Sequence, residues 1–203
     1  MTKDRKWNGS TIVCLWANNL STHEREQHDY YATDPIAINY LFDVEEFNDD
    51  IWEPSCWEWN LSIRMTELWK NVISSDLIDR NFWQWWVDFL NCNKTWKWDI
   101  ITNPPYKFAR EFIEKSLELI PDWNKVAMFL RIQFLESKGR YSLWKNTPPK
   151  KIYVFSGWMW CAMNNEFWKH SQSAVPYAWY VWEKWYTWPT VIDWILVKSK
   201  NLI

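Results

Sequence analysis

Glycine is nearly missing from this chain: 3 residues in 203, beside 21 tryptophans. Average usage is about 7%, which would be roughly 14 glycines at this length. Tight turns need positive φ, and only glycine takes it without penalty. Either the fold avoids such turns or another residue stands in them. Cysteine is sparse as well. Cys14, Cys56, Cys92 and Cys161 are scattered, with no CxxC pair and no Cys/His cluster, so no zinc site is expected. No apolar run approaches a membrane span. The stretch 11–17, the one segment shaped like a signal-peptide core, is short and runs into Asn18-Asn19. It reads as a buried strand or a tail segment. A soluble, cytoplasmic protein with reduced thiols is the expectation. Neither sign of charge dominates: the net charge of −2 excludes a protein that coats nucleic acid through bulk charge.

What is present is ordinary globular material, 48% hydrophobic and 24% charged, in a length suited to one domain with a short extension. Residues 1–28 are mixed and polar and read as a mobile arm; residues 29–203 read as a single domain. Asp34-Pro35 opens a helix, with Asp as N-cap and Pro at the first helical position. Ala37, Tyr40, Leu41, Val44 and Phe47 continue it at helical spacing. A strand follows at 51–54, a helix at 61–68, a strand at 71–76 and a weak strand end at 87–90. The strand 99–102 runs straight into Asn103-Pro104-Pro105-Tyr106. An amphipathic helix covers 108–120, and strands are expected at 125–130, 151–155, 176–182 and 190–197. Alternation of strand and helix, then strands alone, predicts an α/β open sheet, mostly parallel and finished by an antiparallel hairpin.

Asn103-Pro104-Pro105-Tyr106 carries the chemistry. It lies just past the C-terminal end of a strand, where open α/β sheets bind ligands. Two prolines fix the backbone and remove two donors, leaving outward carbonyls. Asn adds a side-chain acceptor, and Tyr adds an aromatic face. The set suits an exocyclic amino group on a flat ring. The plain alternative is a proline-rich loop after a strand.

This segment resembles the Asn/Asp-Pro-Pro-aromatic motif of S-adenosylmethionine-dependent amino-group methyltransferases. The cofactor loop of that family, Glu-Pro-x-Cys-Gly-x-Gly, is similar to Glu53-Pro54-Ser55-Cys56-Trp57-Glu58-Trp59, with tryptophan in both glycine places. Thr33-Asp34-Pro35 resembles the family's Thr-Pro segment, and residues 173–184 resemble its aromatic motif near the base pocket. The likeness spans about residues 29–197 and is nearest to the small phage-type DNA adenine-N6 methyltransferases, with a Rossmann-like seven-strand sheet. It implies that Glu53, Cys56, Trp57, Glu58 and Trp59 line the methionine and ribose side of S-adenosylmethionine. It implies that Asp76 accepts from ribose hydroxyls, that Asp88 and Phe89 contact the cofactor's adenine, and that Asn103, Pro104, Pro105 and Tyr106 are catalytic. Asn103 and Pro104 would hold the adenine amino hydrogens on a flipped-out base. Tyr106 would stack on that base, with Trp179 as second partner. Lys107, Arg110, Lys138, Arg140 and Lys145, with Lys150 and Lys151, would meet phosphate, although such a run is usually a solvated surface. The expected partner is DNA, or RNA, met by a monomer without a metal or a membrane. Protein glutamine is a further candidate substrate, but relatives of that kind carry a helical domain ahead of the cofactor loop, and only about fifty residues precede Glu53 here. A catalytically dead nucleic-acid-binding homologue is the alternative of a different class. A dedicated target-recognition domain is not expected, so specificity would fall to loops such as 80–98 and 138–150.

The tryptophans recur where glycine belongs: Trp57 and Trp59 in the cofactor loop, Trp69 after a helix, Trp123 after Pro121-Asp122, Trp185 and Trp188 near a turn, Trp98 before a strand, and Trp83, Trp85 and Trp86 in one short loop. Trp52, Trp179, Trp182 and Trp194 instead sit in apolar strand patterns. One cause covers the first group: a gene in which UGA means glycine, written out as tryptophan. If the tryptophans are real, a damaged or absent cofactor site is expected.

Overall fold

The computed structural model describes residues 32–57, 59–77, 85–95, 97–157, 159, 161–162 and 175–198. The expected arm at 1–28 lies outside them. The chain runs β1 (Ala32–Thr33), α1 (Ile36–Phe42), β2 (Asp50–Glu53), α2 (Asn60–Glu67), β3 (Asn71–Asp76), β4 (Trp85–Trp86), β5 (Asp99–Thr102), α3 (Ala109–Leu119), β6 (Lys125–Arg131), α4 (Tyr141–Asn146), β7 (Lys151–Phe155), β8 (Cys161–Ala162), β9 (Tyr177–Glu183) and β10 (Val191–Ile195). Eight strands form one sheet in the order β10-β7-β9-β6-β5-β2-β3-β4, and β1 pairs with β8 apart from it. β4 is only two residues long, so seven strands carry the sheet.

Within the eight-stranded sheet, pairing is parallel except where β9 inserts between β6 and β7, antiparallel to both. The antiparallel C-terminal part is therefore as expected, but its connectivity differs. β9 pairs with β7, and β10 lies beyond β7 and parallel to it. Its outward side chains stay open: Trp194 is 65% exposed, so the apolar pattern around it marks an edge strand and not a buried one.

Side-chain alternation sorts the core into two layers, as a period of two requires. Ile51, Ile101, Ala127, Phe129, Tyr177, Trp179 and Val181 face α1 and α2. Trp52, Ile100, Val126, Met128, Leu130, Ala178, Tyr180 and Trp182 face α3 and α4. Strands buried on both sides read as continuous apolar runs, and β6 and β9 are buried along nearly their whole length. The first helix starts where Asp34 Oδ1 accepts the Ile36 N–H at 3.0 Å. It ends at Phe42, short of the expected Phe47. The weak strand at 87–90 is instead a 3₁₀ turn, Phe89–Asn91, after β4. Residues 138–150, expected as a loop, contain α4.

The N-terminal edge of the sheet is held by charge. Glu45, nearly buried, pairs with Lys125 Nζ at 2.6 Å and Lys151 Nζ at 3.6 Å and accepts from Tyr153 Oη at 2.6 Å. Asp99 beside it accepts the backbone N–H of Lys125 and Asn48. The C-terminal edge carries different side chains.

Candidate active site

The strand order reverses direction about β2, whose neighbours are β3 on one side and β5 on the other. Chains leaving β2 and β5 diverge there, and the crevice between them is where open α/β sheets take ligands. Glu53 ends β2, Asp76 ends β3 and Asn103 follows β5. Arg131 ends β6, and Tyr177, its register partner, begins β9. All five stand at this one edge.

Glu53 is buried, accepts from the Ser62 hydroxyl, and has its pKa pushed up to about 8, by burial first and by Asp76 in addition. The Asp76 carboxylate accepts the Trp57 backbone N–H at 2.9 Å. The Cys56 N–H reaches the Ser75 carbonyl at 3.1 Å. Together these bonds fold the 54–59 loop over the ends of β2 and β3. Burial, with Glu53 and Asp76 nearby, pushes the Cys56 thiol well up, so it is no nucleophile at neutral pH. Trp57 and Trp59 have φ of 49° and 59°, and the Trp59 indole folds back to donate to Cys56 Sγ. Glu58 lies outside the described residues.

Asp88 is exposed and caps the 3₁₀ turn, accepting from Asn91 Nδ2 at 2.7 Å. The Val87 N–H bonded to the Asp76 carbonyl at 3.1 Å ties this turn to the end of β3. Phe89 does not reach the crevice. Its ring is buried between Trp52 at 5.1 Å and Phe112 at 4.8 Å, because a large apolar ring at that turn is drawn into the core. Asn103 and Pro104 are buried and Tyr106 is half-buried at the start of a short turn into α3.

Trp179 is likewise not a partner for a base. It has no exposed surface, packs edge-on against Phe129 and donates from Nε1 to the Ala37 carbonyl at 3.0 Å. The aromatic beside Tyr106 is Tyr177, with centroids 6.2 Å apart. The Arg131 guanidinium lies 4.8 Å over the Tyr106 ring. The segment 173–184 does bring an aromatic ring to Tyr106, at Tyr177 and not at Trp179. Positions 177 and 179 share a face of β9 and are both buried; they differ in position along the strand, Tyr177 opposite Arg131 and Trp179 opposite Phe129. Arg131 carried one signal, a charge closing an apolar strand.

The basic side chains divide. Lys107 and Lys145 are exposed beside the rings of Phe108 and Tyr141, and Lys138 is exposed. Arg110 pairs with Glu114 at 2.9 Å and donates to the Gly139 carbonyl at 3.1 Å, which brings the 138–140 turn beside the start of α3. Arg140 is turned inward, bonded to the carbonyls of Phe134 and Glu136, so its role is to hold that turn. Lys150 pairs with Glu183 and Lys151 faces Glu45. Both stand at the opposite edge of the sheet and are excluded from the crevice.

Among solved structures the chain is similar to a protein of Listeria monocytogenes assigned to the class I S-adenosylmethionine-dependent methyltransferases. The TM-score is 0.55 at 14% identity, over 95% of this chain and 72% of that one. It is also similar to a predicted O-methyltransferase of Agrobacterium tumefaciens, TM-score 0.58 at 10% identity, over 84% of this chain and 89% of that one. The chain has the class I methyltransferase fold. No family model matches the sequence, and no curated protein matches it. In this methyltransferase fold the described residues hold no cluster of three metal-ligating side chains and no helix long and apolar enough to cross a membrane.

The donor set at the edge suits a cofactor rich in hydroxyl and amino groups. Asp76 is a carboxylate acceptor at a strand end, Glu53 is a second acid beside it, and the Thr33 hydroxyl, on β1 against α2, is buried with no hydrogen-bond partner among the described residues. The backbone of the 56–59 loop has the left-handed shape that a close approach uses. Only its two indoles are foreign to that purpose.

Proposed function

We propose that this protein transfers a methyl group from S-adenosylmethionine to the N6 amino group of adenine in DNA, on a base turned out of the duplex. The observation that carries this reading is the position of Asn103-Pro104-Pro105-Tyr106, at the C-terminal end of β5 and beside the reversal of strand order. Glu53, Thr33, Asp76, the 56–59 loop and Asp88 would hold the cofactor. When bound, it supplies a methyl group on a sulfonium, electrophilic enough for direct displacement.

The residues then have a defined task. The adenine N6 lone pair is delocalised into its ring, so the nitrogen is a poor nucleophile. The Asn103 side-chain oxygen and the Pro104 carbonyl accept its two hydrogens and favour a more tetrahedral nitrogen whose lone pair points away from the ring. Orientation and fixed dipoles supply the rate, and no covalent intermediate on the protein is needed. Tyr106 offers the stacking face for the extruded base, and Arg131 and Tyr177 fix the ring's position. Lys107 and Lys138 are exposed near the start of α3 and are suited to phosphate.

The test is methyl transfer from labelled S-adenosylmethionine to unmethylated DNA, RNA and protein in parallel. Label in DNA adenine is expected. Label in RNA alone would move the substrate to RNA adenine. Label in protein alone would overturn the reading in favour of an amide acceptor. Cofactor binding without any transfer would favour a dead homologue that keeps the fold.

A further inference from the structure

Among the described residues, five other than glycine have positive φ, and all five are tryptophan: Trp57 at 49°, Trp59 at 59°, Trp69 at 66°, Trp123 at 69° and Trp185 at 71°. L-residues avoid this region, bulky ones most of all, and the usual exceptions are Asn and Asp. With 21 tryptophans in 203 residues, chance alone would place five such positions on tryptophan with odds on the order of one in 10⁵.

Hydrogen bonding identifies the motif at three of them. After α2 the Lys70 N–H bonds the Met65 carbonyl and the Trp69 N–H bonds the Thr66 carbonyl, at 3.1 and 3.0 Å. That is the Schellman pattern, whose left-handed residue is usually glycine. The Asn124 N–H reaches the Pro121 carbonyl and the Tyr186 N–H reaches the Glu183 carbonyl, with positive φ only at the third residue of each turn. Those are type II turns, which call for glycine at that place. The side chains add no reason for an indole, since Trp69 is 92% exposed, Trp123 62% and Trp185 63%.

A second set of tryptophans behaves as tryptophan should. Trp52, Trp179 and Trp182 are fully buried, and their Nε1 atoms donate to Ser75 Oγ, the Ala37 carbonyl and the Thr147 carbonyl at 2.9, 3.0 and 3.0 Å. We infer that residues 57, 59, 69, 123 and 185 are glycine in the protein as its own cell makes it, through a UGA codon read as glycine, whereas 52, 179 and 182 are genuine tryptophan. The inference is independent of which group is methylated. At 57 and 59 it restores an open loop over the ends of β2 and β3, with the backbone unchanged and both indoles removed. Trp98 and Trp188 do not share the left-handed backbone, so geometry assigns nothing to them.

The gene and the native protein test this together. UGA is expected at the five positions and UGG at 52, 179 and 182; UGG at the five would overturn the inference. Peptides of the protein isolated from its own cells should weigh less at each of the five by the difference between a tryptophan and a glycine residue. Tryptophan found there would overturn it whatever the codon. A recombinant chain carrying glycine at all five positions should melt roughly 10 °C or more above the chain as written, and should bind S-adenosylmethionine in calorimetry where the written chain binds weakly or not at all. Equal melting of the two chains would count against it. Stability and peptide mass report on the inference even if no substrate is ever methylated.

Discussion

The proposed chemistry at Asn103 turns on single atoms. If its side-chain oxygen holds the amino hydrogens, Asn103→Ala lowers turnover by about 10²–10³, the usual cost of one lost transition-state contact, and leaves cofactor affinity nearly unchanged. Single-turnover rates and calorimetric binding on the same variant separate the two. Unchanged turnover would place the active site elsewhere. Tyr106 is expected to act through its face. Tyr106→Phe keeps most activity, and Tyr106→Ala weakens capture of the base by about 1–3 kcal/mol. The loss shrinks on a duplex where the target adenine is mismatched, because that base is easier to unstack. The Arg131 guanidinium lies over this ring and holds Tyr106 in place. Were Tyr106→Phe as damaging as Tyr106→Ala, a role for the hydroxyl would replace stacking.

At the scale of elements, β2, its loop and α2 form a unit with two stresses. One is conformational. Trp69 occupies the left-handed residue that ends α2, so Trp69→Gly is expected to stabilise the protein by about 1 kcal/mol. A melting curve shows it directly, since an exposed indole loses no packing on removal. The other stress is electrostatic. Glu53 sits at the end of β2 with a pKa of about 8 against an ordinary 4.5. The folded state therefore holds a proton that the unfolded chain releases. Stability is unaffected below about pH 4.5, falls as pH rises between 4.5 and 8, and is level above that, by linkage. Glu53→Gln should be neutral to stability at pH 4 and increasingly stabilising toward pH 8, by an amount on the order of a few kcal/mol. Melting temperature against pH checks this. A variant with the same pH slope as the parent would refute it.

The whole molecule is a sheet with two unlike edges. Its N-terminal edge joins β6 and β7 to the turn after α1 through Glu45, Lys125, Lys151 and Tyr153. Burial of Glu45 opposes its ionisation, but Lys125, Tyr153 and Lys151 outweigh burial and hold its pKa below the ordinary value. Its contribution is therefore present above about pH 4.5 and lost as pH falls through the lower folded value. Glu45→Ala leaves Lys125 without its buried partner and is expected to cost about 3 kcal/mol at pH 7, less at pH 4, with no effect on cofactor affinity because the proposed site is at the other edge. Denaturant unfolding at the two pH values tests the claim. A loss of cofactor binding without a loss of stability would contradict this division of edges.

The amino-acid sequence determined the alternation of strand and helix, the position of the Asn103–Tyr106 loop after β5, and five of the places where the backbone calls for glycine. Each of these is local: an apolar period, a proline pair, a turn that needs positive φ. Strand boundaries at 71–76 and 151–155 were legible for the same reason. The tertiary structure alone decided matters of depth and neighbourhood. It set β9 between β6 and β7, since pairing across distant segments leaves no local trace. It buried both Trp179 and Tyr177 but put Tyr177 at the strand end beside Tyr106, two residues that share one face and differ in how far along the strand they stand. It drew Phe89 into the core, turned Arg140 inward and carried Lys150 and Lys151 to the opposite edge, because charge along a chain does not reveal which end of a sheet it will occupy. It also placed Arg131 over Tyr106, a contact between the ends of two strands that no spacing in the sequence encodes.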